Sequence, residues 1–334
     1  MLESTSGRFD RTDHALVIGL GRSGRASVEV LRTRLGSVVA TDEAPPEAIG
    51  EALDELRAAN VAFVPPSELD AALENVTVAV LSPGIALNNS LVRQVQAKGI
   101  PVFSEVEVAY RICRAPIVAV TGTKGKTTTT ALLGGLFAAA GKTVRVGGNI
   151  GNALIRETAL AEPGDWVVAE VSSFQLESIR SFKPRVSVIL NITPDHLDRY
   201  HSMEEYAEAK FRIFANQGPG DAFVGNLDDP IVAAAPGEDG NRIKSHASWF
   251  AGEPHRNTAL YLRNGATIVY APPTGDPRPV DIMPVDEVRL LGRHNIENVM
   301  GATLAALAAG LPVDAIREGV RAFRPLGHRL EPVA

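Results

Sequence analysis

Short apolar runs alternate with longer amphipathic stretches along almost the whole chain. Uninterrupted runs of Val, Ile, Leu and Ala predict buried strands, and apolar residues that recur every three to four positions predict helices. The predicted strands cover residues 15–18, 38–41, 76–81, 100–103, 117–121, 144–146, 166–171, 186–191 and 222–225. The clearest helical stretches cover residues 23–34, 126–140, 294–309 and 313–323. Such alternation is typical of α/β folds in which helices cover both faces of a parallel sheet.

The pattern changes between residues 249 and 270, where short alternating runs predict hairpins at the edge of a sheet. Residues 271–276 are rich in Pro and Gly and predict a surface loop. Helical periodicity returns after this loop, and no internal repeat interrupts the chain. These features indicate folded, globular structure over most of the sequence.

Composition and charge narrow the class of protein further. The 334 residues are enough for two domains, and the hydrophobic share of 45% with 22% charged residues is that of an ordinary globular chain. The formal net charge is −6, and no long basic run is present. Binding to nucleic acid or to an anionic membrane by bulk charge is therefore not expected, and a phosphorylated ligand must be held by local positive groups.

The single cysteine, Cys113, excludes an internal disulfide and fits a reducing compartment. We interpret Cys113 as a small apolar residue and not as a nucleophile. No apolar run approaches the roughly 18 residues of a membrane span, and the N-terminal residues lack an apolar signal core. These observations predict a cytoplasmic protein.

The stretch VAVTGTKGKTTTT, residues 118–130, joins a buried strand to a helix through a glycine-rich turn. Backbone N–H groups of such a turn can face a phosphate, and the helix N-terminus adds positive potential. Lys126 is placed to reach the terminal phosphates of a nucleoside triphosphate, and the Thr127 hydroxyl to ligate Mg²⁺. The full P-loop motif has a glycine where this chain has Val120, so the motif is a shortened variant. A turn that carries only a surface lysine is the alternative.

A second glycine motif, GLGRSG at residues 19–24, follows the first predicted strand. It fits the G-x-G-x-x-G pattern, and Asp42 lies about 20 residues further on, at the end of the next strand. This arrangement predicts that a diphosphate can sit against the following helix. It does not identify the nucleotide, so NAD binding and a tight turn without ligand both stay open.

Three more residues carry chemistry that fits a metal and phosphate site. Glu170 ends the strand WVVAEV, and a carboxylate beside the P-loop strand can hold Mg²⁺ on the phosphates. His196 lies at the end of another strand between Asp195 and Asp198, which fits metal or carboxylate chemistry. Lys210 lies on a helix with an apolar flank. The simpler interpretations are a solvated acid, a hydrogen-bonded histidine and a solvated lysine.

Taken together, these stretches resemble the Mur ligase family. The resemblance rests on GLGRSG, LSPGIAL, FSEVE, VTGTKGKTT, GGNIGNAL, EVSSFQLE, NITPDHLDRYHS, YAEAKFRIF, LLGRHNIENVMGA and GHRLE. They occur in the order of the family and span nearly the whole chain. SSFQLE and DHLDRY together with an N-terminal GLGRSG favour the glutamate-adding branch.

The resemblance implies three sets of site residues. A UDP-linked substrate would contact Gly19, Leu20, Gly21, Arg22, Ser23, Gly24, Asp42, Ser82, Pro83, Gly84, Asn149 and His196. ATP would contact Gly122, Thr123, Lys124, Gly125, Lys126, Thr127, Thr128, Asn295, Asn298 and Arg329. Two Mg²⁺ ions would be held by Thr127, Glu170, His196 and Lys210, the last as a carbamylated lysine. The residues closest to the chemistry would be Lys126, Glu170, His196 and Lys210.

The resemblance also implies the reaction and its setting. An ATP-dependent ligase of this kind would add D-glutamate to UDP-N-acetylmuramoyl-L-alanine through an acyl phosphate, in the synthesis of peptidoglycan precursors for the cell wall. We expect a cytoplasmic monomer with small-molecule substrates and no nucleic-acid or membrane partner.

The predicted fold is α/β, with a Rossmann-like N-terminal domain over residues 1–112 and a P-loop-type central ATPase domain with a mostly parallel sheet over residues 113–325. Members of the family carry a third domain, which binds the incoming amino acid. We expect residues 326–334 to be the start of that domain, and this chain alone to be inactive.

Three alternatives stay open at this point. The chain could belong to another branch of the family, such as the alanine-adding one. It could be an NAD-dependent oxidoreductase, an interpretation that rests on GLGRSG and Asp42 and leaves Lys126 unexplained. It could also be a module that binds nucleotides without catalysis.

Overall fold

A computed structural model of the protein describes residues 9–272 and 278–324. Contacts divide the chain into two compact units. The first contains the residues up to Arg114 together with the later segments Gly151–Ala161 and Phe174–Phe182, and the second contains the rest. The boundary predicted from the sequence, between residues 112 and 113, assigned both later segments to the second domain. The predicted segment 326–334 and most of the predicted loop 271–276 lie outside the described residues.

The structure has fourteen strands and twelve α-helices among its described residues. The strands are β1 His14–Ile18, β2 Ser37–Thr41, β3 Ala62–Phe63, β4 Val78–Leu81, β5 Val102–Ser104, β6 Ile117–Thr121, β7 Val144–Gly148, β8 Trp166–Glu170, β9 Val186–Ile189, β10 Ala222–Asn226, β11 His246–Ala251, β12 Thr258–Arg263, β13 Thr267–Tyr270 and β14 Val280–Pro284. The helices are α1 Arg22–Leu31, α2 Gly50–Ala58, α3 Leu69–Ala72, α4 Ser90–Ala97, α5 Glu105–Ile112, α6 Lys126–Ala139, α7 Leu154–Leu160, α8 Ser173–Leu176, α9 Met203–Phe211, α10 Pro230–Ala233, α11 Arg293–Ala308 and α12 Val313–Ala322.

The first unit is built on a five-stranded sheet of order β3-β2-β1-β4-β5, in which all strands run parallel. Strands β1 and β4 are almost completely buried, which explains their continuous apolar sequences. From β1 the chain adds β2 and β3 on one side of the sheet and then β4 and β5 on the other side, so the strand order reverses at β1. Ligands of open α/β sheets bind at such a point, outside the carboxyl ends of the strands. The predicted Rossmann-like fold is confirmed.

The second unit is built on a nine-stranded sheet of order β14-β13-β12-β11-β10-β9-β6-β8-β7. The strands from β7 to β12 in this order run parallel, and β13 and β14 add an antiparallel edge. Strand β6 lies in the interior between β9 and β8, and helices α6 and α11 pack on the apolar core of the sheet. The predicted, mostly parallel central sheet is confirmed. Within the region 249–270, for which hairpins were predicted, β12 and β13 form a hairpin, whereas residues 249–251 belong to β11, which pairs in parallel with β10 and β12.

The edge strand β14 is covered by a side chain of α12. The Arg317 guanidinium donates to the carbonyl oxygens of Ile282 and Asp281, at 2.7 and 2.5 Å, and also contacts Asp314. Exposed strand edges invite pairing with other chains, and charged side chains prevent it. Arg317 therefore satisfies backbone groups of β14 that sheet pairing leaves open.

Two buried glutamates hold the later segments onto α5 within the first unit. Oε1 of Glu105 accepts a hydrogen bond from the backbone N–H of Ile155, at 2.6 Å, in the first turn of α7. The Glu107 carboxylate accepts from the backbone N–H groups of Arg180, Ser181 and Phe182. The two carboxylates thus accept hydrogen bonds from backbone N–H groups that lack an acceptor within their own helix or loop.

None of the described helices is both long enough and apolar enough to cross a lipid bilayer. The strand positions predicted from the sequence agree with β1, β2, β4 to β10, within a few residues at their ends.

Candidate active site

The phosphate loop lies between the buried strand β6 and helix α6. Gly122 and Gly125 have φ angles of 153° and 84°, in a region of backbone conformation that residues with a Cβ rarely adopt. A Cβ on Gly125 would come within 2.0 Å of Oδ1 of Asn298. The sequence motif therefore reflects a real backbone requirement, and the helix begins at Lys126 with its N-terminus facing this turn.

Asn191, two residues after the end of β9, holds the phosphate loop on one side. Its backbone oxygen accepts from the Thr123 N–H at 2.9 Å, and its side chain accepts from the Lys124 N–H at 2.8 Å and donates to the Lys124 oxygen at 3.1 Å. Thr193 adds a hydrogen bond from its N–H to the Thr123 hydroxyl, at 3.0 Å. Asn191 was not predicted as a site residue. Its position after a strand next to the P-loop strand was the available signal.

Two lysines share one acceptor in this loop. Nζ of Lys126 donates to the carbonyl oxygens of Gly122 and Thr123 at 3.0 and 2.8 Å, and Nζ of Lys210 donates to the same Gly122 oxygen at 2.9 Å. Lys210 is only 1% exposed, so the simpler interpretation of a solvated lysine is wrong. Burial, followed by the positive charge of Lys126, lowers the pKa of Lys210 to about 7.

Tyr206 connects the loop to helix α9. Its hydroxyl lies 3.3 Å from the Thr123 hydroxyl, and Nζ of Lys210 lies 4.6 Å from the centre of its ring. The rings of Tyr200 and His196 pack beside it, with centroids 5.2 and 6.2 Å away. The pKa of Tyr206 is raised, chiefly by burial, so the hydroxyl keeps its proton and can donate. The sequence reasoning did not single out Tyr206.

Glu170 ends β8 next to β6 and is 1% exposed. Its Oε1 accepts from the side-chain amide of Asn149, at 3.0 Å, whereas its Oε2 has no hydrogen-bond partner in the described part of the protein. A buried carboxylate oxygen without a partner is costly in free energy unless a cation or another donor reaches it. Asn149, which was predicted to line the UDP-sugar site, is thus hydrogen-bonded to the Glu170 carboxylate.

His196 follows β9 with a φ angle of 54° and is 44% exposed in its side chain. Its Nε2 lies 3.7 Å from Oδ2 of Asp195. Among the described residues, no three His, Cys, Asp or Glu side chains converge as a ready metal cluster. A cation at this site would therefore need ligands from a bound substrate or from a modified side chain in addition.

Four of the remaining residues predicted for ATP lie within the first two turns of helices α6 and α11. Thr127 and Thr128 are half-buried in the first turn of α6. Asn298 of α11 is buried against Gly125 and donates to Oδ1 of Asn295 at 3.1 Å, while the Asn295 amide donates to the Leu291 oxygen at 2.7 Å. The structure thus brings Asn298 to the phosphate loop. Arg329, also predicted for ATP, lies outside the described residues.

The glycine turn of the first unit is equally tight. A Cβ on Gly24 would lie 1.8 Å from the Gly19 oxygen, and one on Gly19 would lie 2.9 Å from Cβ of Ser82. Gly21 precedes α1 without a side chain to satisfy the helix N-terminus. This leaves the first turn of α1, which begins with Arg22, open to an anion.

Asp42, at the end of β2, bonds to this turn. Its Oδ2 accepts from the Leu20 N–H at 2.6 Å, and its Oδ1 accepts from the Ala44 N–H at 2.8 Å. In dinucleotide-binding folds the corresponding acid is used to hold a ribose hydroxyl. Here both oxygens of the Asp42 carboxylate already accept hydrogen bonds from backbone N–H groups.

The other predicted residues of the first unit surround the turn unevenly. Ser23 is buried at the start of α1. Ser82 is buried at the end of β4, Pro83 is half-buried and Gly84 is exposed. Ser82 lies against Gly19, so the loop after β4 and the glycine turn form one surface at the carboxyl edge of the sheet.

Comparison with known proteins gives matches over both units. Residues 120–306 match the Mur ligase middle domain, and residues 13–104 match the N-terminal domain of MurD-like Mur ligases. The chain is 44% identical to the UDP-N-acetylmuramoylalanine–D-glutamate ligase of Pelotomaculum thermopropionicum, a match that covers 96% of this chain and 68% of that protein. It is 42% identical to the ligase of the same name from Salinibacter ruber, over 97% of this chain and 70% of that one.

Solved structures agree at the level of the fold. The UDP-N-acetylmuramate:L-alanyl-γ-D-glutamyl-meso-diaminopimelate ligase of Neisseria meningitides has a TM-score of 0.62 at 19% identity, covering 95% of this chain and 99% of that chain. The UDP-N-acetylmuramate–alanine ligase of Thermotoga maritima has a TM-score of 0.53 at 20% identity, covering 93% of this chain and 68% of that chain.

Proposed function

The chain belongs to the Mur ligase family, and we propose that it acts in the ATP-dependent addition of D-glutamate to UDP-N-acetylmuramoyl-L-alanine. The product is a precursor of peptidoglycan. We further propose that the protein works as a cytoplasmic monomer on small-molecule substrates. The observation that carries the proposal is the composition of the phosphate loop at the start of α6. Two lysines, Lys126 and Lys210, donate to this loop. The carboxylate of Glu170, on the neighbouring strand β8, has one oxygen without a hydrogen-bond partner among the described residues.

The geometry of this loop supports the proposed triphosphate binding. The N-terminus of α6 supplies backbone N–H groups and the positive end of a helix dipole. Nζ of Lys126 now bonds to oxygens of its own loop, so it can exchange these acceptors for the oxygens of the terminal phosphates. Asn298 and Asn295, at the start of α11, are proposed to contact the purine side of ATP.

A magnesium ion fits the residues that would hold it. Mg²⁺ is commonly bound in proteins by one or two carboxylates together with phosphate oxygens and water. The proposed protein ligands of a first ion are Oε2 of Glu170, which has no hydrogen-bond partner among the described residues, and the Thr127 hydroxyl. Such an ion offsets the negative charge of the phosphates.

The second proposed ion needs a change at Lys210. An ammonium group repels a cation, but a carbamate presents anionic oxygen ligands. The neutral Lys210 amine can attack CO₂, forming an N–C bond and releasing one proton, and a pKa of about 7 makes the neutral amine available near neutral pH. His196 is the proposed second protein ligand, beside the Tyr206 ring that also contacts Lys210.

The proposed reaction proceeds in two steps. An oxygen of the substrate carboxylate attacks the γ-phosphorus of ATP, so that an acyl phosphate forms and ADP leaves. The amine of D-glutamate then attacks the acyl carbon, and phosphate leaves from the tetrahedral intermediate as the new amide loses a proton. Because the first step joins two anions, Lys126 has the task of reducing their repulsion and orienting the γ-phosphate.

The first unit is proposed to hold the UDP part of the substrate. Its open helix N-terminus at Gly21–Arg22 suits the diphosphate, and the surface at Ser82 to Gly84 suits the attached sugar. The bonds of Asp42 to Leu20 and Ala44 favour this use over NAD binding, since the carboxylate is already engaged.

Calorimetry can test the proposal with this chain directly. We expect heat on titration with UDP-N-acetylmuramoyl-L-alanine, and separately with a non-hydrolysable ATP analogue and Mg²⁺. NADH is the comparison ligand. Binding of NADH without binding of the sugar nucleotide would contradict the assignment of the first unit, and lack of binding of the ATP analogue would contradict that of the second.

A further inference from the structure

The ends of strands β7 and β8 approach each other unusually closely. Gly148, the last residue of β7, pairs with Glu170, the last residue of β8, and has a φ angle of 120°. A Cβ at Gly148 would lie 2.2 Å from the backbone oxygen of Glu170. Only glycine allows this approach, and it brings the next residue, Asn149, over Glu170.

Asn149 then bonds to Glu170 twice. Its backbone N–H donates to the Glu170 backbone oxygen at 2.9 Å, and its side-chain amide donates to Oε1 at 3.0 Å. The first bond fixes the position of Asn149, and the second fixes the rotation of the Glu170 carboxyl group. The other oxygen, Oε2, is buried and has no hydrogen-bond partner among the described residues.

We propose that Asn149 is a positioning residue, which holds Glu170 so that Oε2 alone is presented to a divalent cation. The inference rests on the proposed function, because the cation is the one that accompanies ATP. It differs from the role predicted by resemblance, in which Asn149 contacts the UDP-linked substrate.

The physical reason lies in the freedom of the carboxylate. A Glu side chain has several rotatable bonds, and a carboxylate can bind a cation through one oxygen or through both. With Oε1 engaged by the amide, the carboxylate can bind through one oxygen without reorganisation. Partners of this kind commonly change metal affinity by about 10- to 100-fold when they are removed.

Two substitutions at Asn149 test the inference. In Asn149→Ala the donor is lost, and we expect the half-saturating concentration of Mn²⁺, measured by electron paramagnetic resonance with the ATP analogue bound, to rise about 10-fold or more. In Asn149→Asp the size of the side chain is kept, but the amide donor is replaced by a carboxylate that repels Oε1, and we expect the half-saturating concentration of Mn²⁺ to rise as well.

Asn152→Ala is the matched control. Asn152 lies three residues further on, is exposed, and donates its amide to Oε1 of Glu157 at 2.7 Å, so the same type of bond is removed elsewhere. We expect no change in Mn²⁺ affinity for this variant.

The outcomes separate this inference from the proposed function. If the unsubstituted chain shows no cation-dependent binding of the ATP analogue, the proposed function fails and this inference with it. If cation binding is normal but both Asn149 variants leave Mn²⁺ affinity unchanged, the positioning role alone is overturned. Thermal unfolding of each variant identifies loss of folding, and Asn149→Asp keeps the size of the side chain if Asn149→Ala proves unstable.

Discussion

The ammonium groups of Lys126 and Lys210 donate to one and the same oxygen, that of Gly122, so the two nitrogen atoms lie within about 6 Å of each other. Two positive charges at this separation repel, and Lys210 is buried as well. The pair becomes favourable when an anion joins it or when one lysine loses its charge. The two lysines are therefore well placed to bind phosphate.

Replacing Lys126 by alanine should weaken ATP binding about 10- to 100-fold, because a charge-assisted hydrogen bond to the phosphates is lost. Calorimetry with the non-hydrolysable ATP analogue measures the effect. Lys142→Ala, at an exposed position just after the same helix, is the control and should leave the affinity unchanged. Equal affinities for Lys126→Ala and the unsubstituted chain would remove the main support for the proposed function.

Carbamylation of Lys210 should depend on pH with a defined sign. Burial and Lys126 lower the pKa of Lys210 from 10.5 to about 7, so the ammonium form dominates below pH 7 and the reactive neutral amine dominates above it. With ¹³C-bicarbonate, we expect a carbamate signal in the NMR spectrum at pH 8 that fades as the pH falls below about 7. The signal must be absent in Lys210→Met. A signal that persists in that variant belongs to another group.

Gly125→Ala should damage both folding and nucleotide binding. The left-handed backbone at Gly125 costs a residue with a Cβ about 1–2 kcal/mol, and the new Cβ would also collide with Asn298. Gly164→Ala is the control, because a Cβ there meets no atom within 4 Å. We expect a lower midpoint of thermal unfolding for Gly125→Ala only. Unchanged ATP-analogue binding by that variant would show that the loop tolerates a different backbone.

Glu105 should make the stability of the protein depend on pH. Complete burial raises the pKa of Glu105 from 4.5 to about 7, although the Ile155 N–H and Arg22 favour the charged form. A raised pKa means that the folded state binds the proton more tightly, so its stability relative to Glu105→Gln is highest below pH 4.5 and falls as the pH rises to about 7.

Urea unfolding of the two proteins at pH 5 and pH 8 checks this expectation. We expect the free energy of unfolding of the unsubstituted chain, relative to Glu105→Gln, to be lower at pH 8 by about 1–3 kcal/mol. Glu47→Gln, at an exposed position in the same unit, is the control. A difference that does not change with pH would mean that Glu105 is charged throughout.

The sequence predicted the parts of the fold that depend on local pattern. Continuous apolar strands such as β1 and β6, and the glycine turns that follow them, could be recognised because burial on both faces and left-handed φ angles restrict the residue types directly. The phosphate-loop residues were identified in this way, whereas periodicity alone favoured a solvated Lys210, which the structure buries.

Contacts between distant residues could not be derived from local pattern. Tyr206, Asn191 and the pairing of Asn149 with Glu170 depend on which strand lies beside which, and periodicity does not determine strand order. The short strand β3 and the buried carboxylates of α5 belong to the same class. Their partners lie tens of residues away, at positions that only the assembled sheet brings together.

The chain leaves the first unit after Arg114 and returns to it twice, with Gly151–Ala161 and Phe174–Phe182. Neither unit is therefore one continuous segment of sequence that could be exchanged between related proteins in a single step. A fragment ending at residue 114 would lack α7 and the backbone donors that Glu105 and Glu107 hold, so both carboxylates would lose these partners. Swapping specificity between relatives thus requires grafting three separate pieces of sequence at once.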